Sequence, residues 1–253
     1  MKILFIGNSF SDDAGWRLYD VLSSIGETDS VVGILFIGGC PLSLHAENIK
    51  KDAAAYEYRK FNAGGFTNRP ETTALYALND EQWDVVTLQQ CSGLSGVAES
   101  YNEDIDVVLN AVKASCPHAR VYWHMTWAYD DDSTHAEFYR YDHSHEKMYN
   151  AIVAAVKSRI LPFNRFDGVI PCGTAIENAR EKGLTGLTRD GFHLSFGLGR
   201  YIASLTVAQF LTGKAAKCNL IPDDYPEIAD NRAVALKCAQ AAVSNPFEVT
   251  KPL

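Results

Sequence analysis

The sequence predicts an α/β protein, a three-layer α/β/α sandwich around a central parallel sheet. Three observations carry this: short, nearly continuous apolar runs; longer helical patterns that alternate with them; and small polar residues where each run ends. The runs 2–6 (KILFI), 31–37 (VVGILFI), 84–88 (DVVTL), 120–126 (RVYWHMT) and 168–171 (GVIP) read as strands. Their unbroken hydrophobicity is what a parallel sheet covered on both faces requires. Helical patterns fall at 14–26, 44–55, 71–81, 101–115, 134–158, 173–182, 196–213 and 226–243. In 101–115, Ile105, Val108, Leu109 and Val112 recur at helical spacing, with acidic residues in the first turns. The segment 56–69 breaks the rhythm: Tyr56 and Tyr58 alternate ahead of Gly64-Gly65, which reads as a hairpin or loop excursion. No repeat or linker interrupts the chain, so residues 1–253 are expected to form one domain.

The bulk properties narrow the function classes. Of 253 residues, 47% are hydrophobic, enough for a sizeable core. A net charge of −8, with no run of Lys or Arg, argues against a nucleic-acid or anionic-membrane partner. The six cysteines (40, 91, 116, 172, 218, 238) show no metal-binding spacing and suit a reducing compartment. The apolar start, 3–7, is shorter than the roughly 7–15 residues of a secretory core, and no run reaches the roughly 18 of a membrane span. A cytoplasmic location is expected, unless a leader precedes this sequence.

In open α/β sheets, ligands bind beyond the carboxyl ends of the strands. Ser9 stands there, in Gly7-Asn8-Ser9-Phe10-Ser11 between the first strand and a helix. A serine hydroxyl becomes a nucleophile only when a base takes its proton. His193 is the candidate base, and Asp190, three residues earlier, is placed to fix its tautomer. The competing reading is that Ser9, Ser11 or Asp12 merely caps the helix. His143 and His145 lie two apart and point in different directions on a helix, so no metal site is expected there. His135 carries no clear role, and His124 reads as a core or rim residue. G-x-S-x-G is absent, the nearest stretch (93–97, GLSGV) failing at its last position. Phosphate-loop, dinucleotide and H-E-x-x-H patterns are absent as well.

Taken together, GNSFS at the first strand, Gly39 after the second and Asp190-x-x-His193 near the end resemble the SGNH (GDSL-type) hydrolases across roughly residues 1–213. The resemblance implies Ser9 as nucleophile, His193 as base and Asp190 as its partner. It also implies an oxyanion hole from the Ser9 N–H and the N–H of Gly39, or of Gly38 beside it. The chain departs where that family has G-x-N-D: its third strand ends in Gln89-Gln90-Cys91-Ser92. A glutamine carries the same NH₂ donor on a longer arm, so Gln89 or Gln90 is expected to complete the hole. The implied reaction is hydrolysis of an O-acyl ester, such as an acetyl group on a carbohydrate or small metabolite, without metal or organic cofactor. Trp127 and Tyr129, beyond the fourth strand, are expected to line a substrate rim. The rival readings are acyl transfer to an acceptor other than water, a ligand-binding module without catalysis, and a nucleotide binder cradling phosphate at GNSFS.

Overall fold

The computed structural model describes residues 1–218 and 225–251. In chain order the elements are β1 (Lys2–Gly7), α1 (Ser9–Gly15), α2 (Leu18–Ser24), β2 (Val31–Phe36), α3 (Leu42–Lys51), β3 (Tyr56–Asn62), β4 (Gly65–Thr72), α4 (Ala74–Asp80), β5 (Val85–Leu88), α5 (Asp104–Ser115), β6 (Arg120–His124), α6 (His145–Ala155), β7 (Gly168–Ile170), α7 (Cys172–Glu181), α8 (Leu198–Thr212) and α9 (Glu227–Ser244). The strands form one sheet in the order β4-β3-β2-β1-β5-β6-β7. The five strands from β2 to β7 in that order run parallel, and the β3–β4 hairpin extends the edge antiparallel. The chain leaves β1 for β2 on one side and later returns past it to β5. That reversal falls at the carboxyl end of β1, the place where such sheets bind ligands.

Alternation along the strands sorts the layers. Phe5 and Ile34 lie against Gly15 of α1, whereas Leu4 and Tyr58 close around Gly33 with Trp83 on the opposite face. Helices α1, α2, α7, α8 and α9 pack together in one layer, and α3, α4 and α5 in the other. From Leu198 to Ala208 every residue of α8 is buried, which suits a helix apolar all round and enclosed by its neighbours. The expected excursion at 56–69 is a hairpin whose register shifts between Tyr56 and Tyr58, and its Phe61 and Phe66 close on Trp16, with ring centres 5.2 and 5.5 Å away. All six cysteines are buried and unpaired. Among the described residues, no helix is long and apolar enough to cross a membrane.

Two helical expectations are corrected. The pattern at 14–26 is two short helices, α1 starting earlier because Asn8 caps it. The pattern at 134–158 holds a single 3-10 turn at Phe138–Tyr141 and becomes α-helical only at His145, because Asp142 and His143 both take left-handed backbone angles (φ 52° and 53°). No α-helix runs through two such residues, and Ser144 then caps α6 by accepting the Lys147 N–H. Residues 130–144 are thereby free to fold as a loop over the carboxyl end of the sheet.

Two histidines sit in the core. Burial pushes the His45 imidazole down to about 4 and that of His124 down to about 3. The unfolded chain takes up these protons near pH 6.5, and the folded chain does so only at the lower values. Stability is therefore level above about pH 6.5 and falls as pH drops toward 4, each histidine costing about 1.4 kcal/mol per pH unit. Urea unfolding at pH 7, 6, 5 and 4 is expected to show this decline, and His124→Gln should roughly halve its slope, leaving the share of His45.

Candidate active site

The site begins with a cap. Asn8, buried between β1 and α1, accepts the Phe10 N–H on Oδ1 (3.0 Å) and donates from Nδ2 to the Cys40 carbonyl (3.2 Å). Because Asn8 does the capping, Ser9 is not needed for it. The Ser9 hydroxyl instead lies 2.8 Å from His193 Nε2. His193 Nδ1 lies 2.6 Å from Asp190 Oδ2. The other Asp190 oxygen accepts the backbone N–H groups of His193 (2.7 Å) and Phe192 (3.2 Å), so one carboxylate sets both the loop and the ring. Partial burial works against the Asp190 charge, but the His193 ring and these two N–H groups outweigh it and hold the carboxyl below its usual range. With Asp190 ionised, Nδ1 carries the imidazole proton and Nε2 is left to accept from serine. The structure thus brings Ser9, His193 and Asp190 into one relay.

The loop bearing His193 is tied down on two sides. Asp13, with no exposed surface, receives Arg200 Nε (2.7 Å) and Arg189 Nη1 (3.0 Å) on Oδ1, and the Leu194 N–H (2.9 Å) on Oδ2. Arg189 also donates to the Leu194 carbonyl. Asp13 sits one turn after Ser9 on α1, so one short helix holds both the serine and the anchor of the histidine loop. Beside it, Asp12 pairs with Arg59 of the hairpin (2.7 Å). Burial raises the Asp12 carboxyl above its ordinary value, with Arg59 and Arg200 opposing. On the far side of the loop, the Asp130 N–H donates to the Gly191 carbonyl (2.8 Å), and the Asp130 carboxylate takes Thr188 Oγ1 and Arg180 Nη2 (2.5 Å).

Gly39 is exposed, with φ +63°, in the turn after β2, whose Cys40 carbonyl is held by Asn8. A left-handed angle favours glycine there. The glutamines are elsewhere engaged, which corrects the expectation placed on them. Gln89 Nε2 donates to Asn8 Oδ1 (2.7 Å), and Gln89 Oε1 accepts from Ser11 Oγ (2.6 Å) and from His124 Nδ1 (3.1 Å). Gln90 Nε2 donates to the carbonyl and hydroxyl of Ser100 (3.0 Å each), and its Oε1 accepts the Leu42 and Cys91 N–H groups. Gln89 therefore props the cap behind Ser9, and Gln90 staples two loops. Gly7 makes room for this arrangement, since a Cβ there would stand 2.2 Å from Ser11 Oγ.

Trp127 and Tyr129 are also corrected, since both are fully buried rather than rim residues. Trp127 stacks on Phe10 (4.4 Å, 11°) and donates Nε1–H to the Phe192 carbonyl (2.8 Å). Tyr129 donates its hydroxyl to Ser92 Oγ (2.7 Å). Sequence reasoning missed Asn8, Asp13 and Asp130 as organisers of the site. The signal for Asp13 was an acidic pair placed within a turn of the serine, in a segment otherwise rich in small and apolar residues.

The fold is that of the three-layer α/β/α sandwich proteins. The carbohydrate esterase family 3 protein from Talaromyces cellulolyticus shares 15% identity over 86% of this chain and 99% of that one, with a TM-score of 0.50. LAE5, an alpha/beta hydrolase enzyme from the metagenome of Lake Arreo, shares 9% over 87% and 96%, also at 0.50. At these identities the likeness is one of fold. The particular family follows from two closer matches. Residues 2–242 match the family described as a domain of unknown function, DUF4886. A DUF4886 family protein from Bacteroides uniformis shares 36% identity over 100% of this chain and 98% of that one, with a TM-score of 0.93. The chain belongs to the DUF4886 family. No curated protein matches it.

Truncating Asp13 leaves Arg200, almost fully buried, with only the longer contact to Asp12 (3.4 Å) and strands the Leu194 N–H. Asp13→Ala is expected to cost about 3–5 kcal/mol in chemical denaturation, the range for a buried pair broken on one side. Asp190→Ala, at an exposed residue, is expected to cost far less.

Proposed function

We propose that this protein is a serine esterase of the SGNH (GDSL-type) kind that hydrolyses short O-acyl esters through an acyl-enzyme. The observation that carries the reading is the unbroken relay from Asp190 through His193 to Ser9, at 2.6 and 2.8 Å. Ser9 Oγ attacks the ester carbonyl as His193 Nε2 takes its proton, and Asp190 stabilises the imidazolium that forms. The N–H of Ser9, the first residue of α1, has no intrahelical acceptor. With the N–H of Gly39 it is offered to the developing oxyanion. Collapse of the tetrahedral intermediate expels the alcohol, which takes the proton back from His193. Water then attacks the acyl-enzyme with His193 again as base, releasing the acid and restoring the Ser9 hydroxyl.

Neither glutamine amide is directed to this oxyanion hole, since Gln89 Nε2 donates to Asn8 and Gln90 Nε2 to Ser100. The hole therefore rests on backbone donors. A short acyl chain is part of the proposal, since the Phe10 ring lies 6.1 Å from that of His193 and is fixed there by stacking on Trp127. Contact between Ser9 and His193, with no side chain packed between them, favours an enzyme over a binding module. The fold shared with a carbohydrate esterase and with an alpha/beta hydrolase enzyme supports the same reading.

The test is hydrolysis of p-nitrophenyl acetate, butyrate, hexanoate and octanoate by wild type, Ser9→Ala and His193→Ala. Acetate is expected to be the best substrate, and each variant is expected to lose on the order of 10⁴-fold or more in kcat. Activity that survives Ser9→Ala would exclude Ser9 as nucleophile. A second series probes the hole: Gln90→Ala should lower thermal stability, with kcat falling much less than the roughly 10²–10³-fold typical of a lost oxyanion donor.

A further inference from the structure

The turn that carries Gly39 is pinned at both ends to the two residues before Ser9. At its start the Ile37 N–H donates to the Gly7 carbonyl (3.3 Å), and at its close the Cys40 carbonyl accepts from Asn8 Nδ2 (3.2 Å). The Cys40 N–H closes the turn on the Ile37 carbonyl (3.3 Å), and the Gly39 N–H is left without an acceptor among the described residues. Ser9, the first residue of α1, likewise has no intrahelical acceptor for its N–H. Two free backbone donors thus stand on two separate elements, and Asn8 bonds to both elements. Its Oδ1 holds the first turn of α1 through the Phe10 N–H (3.0 Å), and its Nδ2 holds the Gly39 turn.

The orientation of this amide is dictated. The Phe10 N–H can only donate, so the atom facing it is Oδ1. Gln89 must then present its NH₂ to the same oxygen (2.7 Å), which turns its Oε1 toward Ser11 Oγ (2.6 Å) and His124 Nδ1 (3.1 Å). His124, held down to about 3 by burial, is uncharged and donates from Nδ1. One backbone N–H therefore sets the polarity of a chain of side chains running from β6 to the turn after β2. Asn8 and Gln89 are both buried, so water does not compete for these bonds. The donation to Cys40 adds nothing to the cap, which needs only an acceptor.

Resting on the esterase reading above, we propose that Asn8 is a positioning residue of the oxyanion hole, whose Nδ2–H, through the Cys40 carbonyl, sets the Gly39 N–H against the Ser9 N–H. With neither glutamine amide directed to the hole, its strength depends on how these two backbone donors converge. Aspartate or serine would cap α1 as well. Of the good capping residues, asparagine alone accepts on one atom and donates from another at neutral pH.

The experiment separates the cap from the donor. Asn8→Asp keeps the capping oxygen and the shape, but its ionised carboxylate turns a lone pair toward the Cys40 carbonyl. Protonated, the same carboxyl donates there again. Burial and the facing carbonyl raise the pKa of the introduced group, so the donor returns as pH falls. Asn8→Ser keeps a capping oxygen, is one atom too short for the Cys40 carbonyl and has nothing to titrate. The readout is kcat of each variant relative to wild type, with p-nitrophenyl acetate from pH 8 to pH 5. At pH 8 both variants are expected to lose about 10- to 100-fold in kcat with KM within about twofold, because the oxyanion forms only on the way through the transition state. Toward pH 5 the Asn8→Asp ratio is expected to climb about fivefold or more, and the Asn8→Ser ratio to stay level.

Neighbouring groups do not produce that climb. The Cys40 and Cys91 thiols, pushed up to about 12 and about 11 by burial, and His124 are uncharged throughout this range. Asp12, Asp190 and His193 are shared with wild type, and a new anion beside them favours protonated His193, which moves the ratio the opposite way. Circular dichroism melts confirm that both variants are folded at the assay temperature. A level Asn8→Asp ratio, an equal climb in Asn8→Ser, or a loss carried by KM overturns the assignment of Asn8. A wild-type protein that hydrolyses none of the p-nitrophenyl esters overturns the esterase reading beneath it.

Discussion

The site depends on one buried carboxylate. Asp13 receives two arginines and the Leu194 N–H with no water-exposed surface of its own, and it lies on the same short helix as Ser9. Burying a carboxylate is unfavourable unless its oxygens are filled, and here every partner comes from residues 189–200. The attraction that neutralises Asp13 is thus the same attraction that delivers His193 to Ser9. Asp190 then needs only to orient the ring locally. The distance between serine and histidine is set by how α1 and α8 pack, and not by the loop alone.

Much of this was legible in the sequence. Parallel strands buried on both faces advertise themselves as apolar runs, so β1, β2, β5, β6 and β7 could be placed to within a few residues. Ser9 was a candidate from its position between a strand and a helix, and Asp190 with His193 from a three-residue spacing. Position alone did not separate them from caps and surface residues, and it was the resemblance to the SGNH hydrolases that joined them. What the sequence concealed was conformation that apolar periodicity does not encode. Asp142 and His143 take left-handed angles in the middle of a helical pattern, and so His135 moved from a supposed helix to the edge of the site.

The misplaced residues share a cause. Trp127 and Tyr129 follow a strand, and the expectation of exposure assumed that the chain leaves the protein at that point. It turns inward instead, where Phe10 offers a ring to stack on. Gln89 and Gln90 were assigned by analogy of functional group, but the partners of an amide are a tertiary matter. Those of Gln89 come from residues around 8–11 and 124, those of Gln90 from residues 42, 91 and 100. The side chains that stand where a family uses an active amide have here become part of the framework.

Ser9 and His193 are 184 residues apart in the chain. During synthesis Ser9 emerges well before His193 and the arginines that neutralise Asp13, which follow only after most of the sheet has been made. A partly synthesised chain can therefore build β1, α1 and β2 and still hold an inert hydroxyl beside an uncompensated acid. Contacts so distant in sequence form late and slowly, because the intervening loop must be closed first. Recovery of the Ser9–His193 pair during refolding would accordingly report the completion of folding, and not merely its onset.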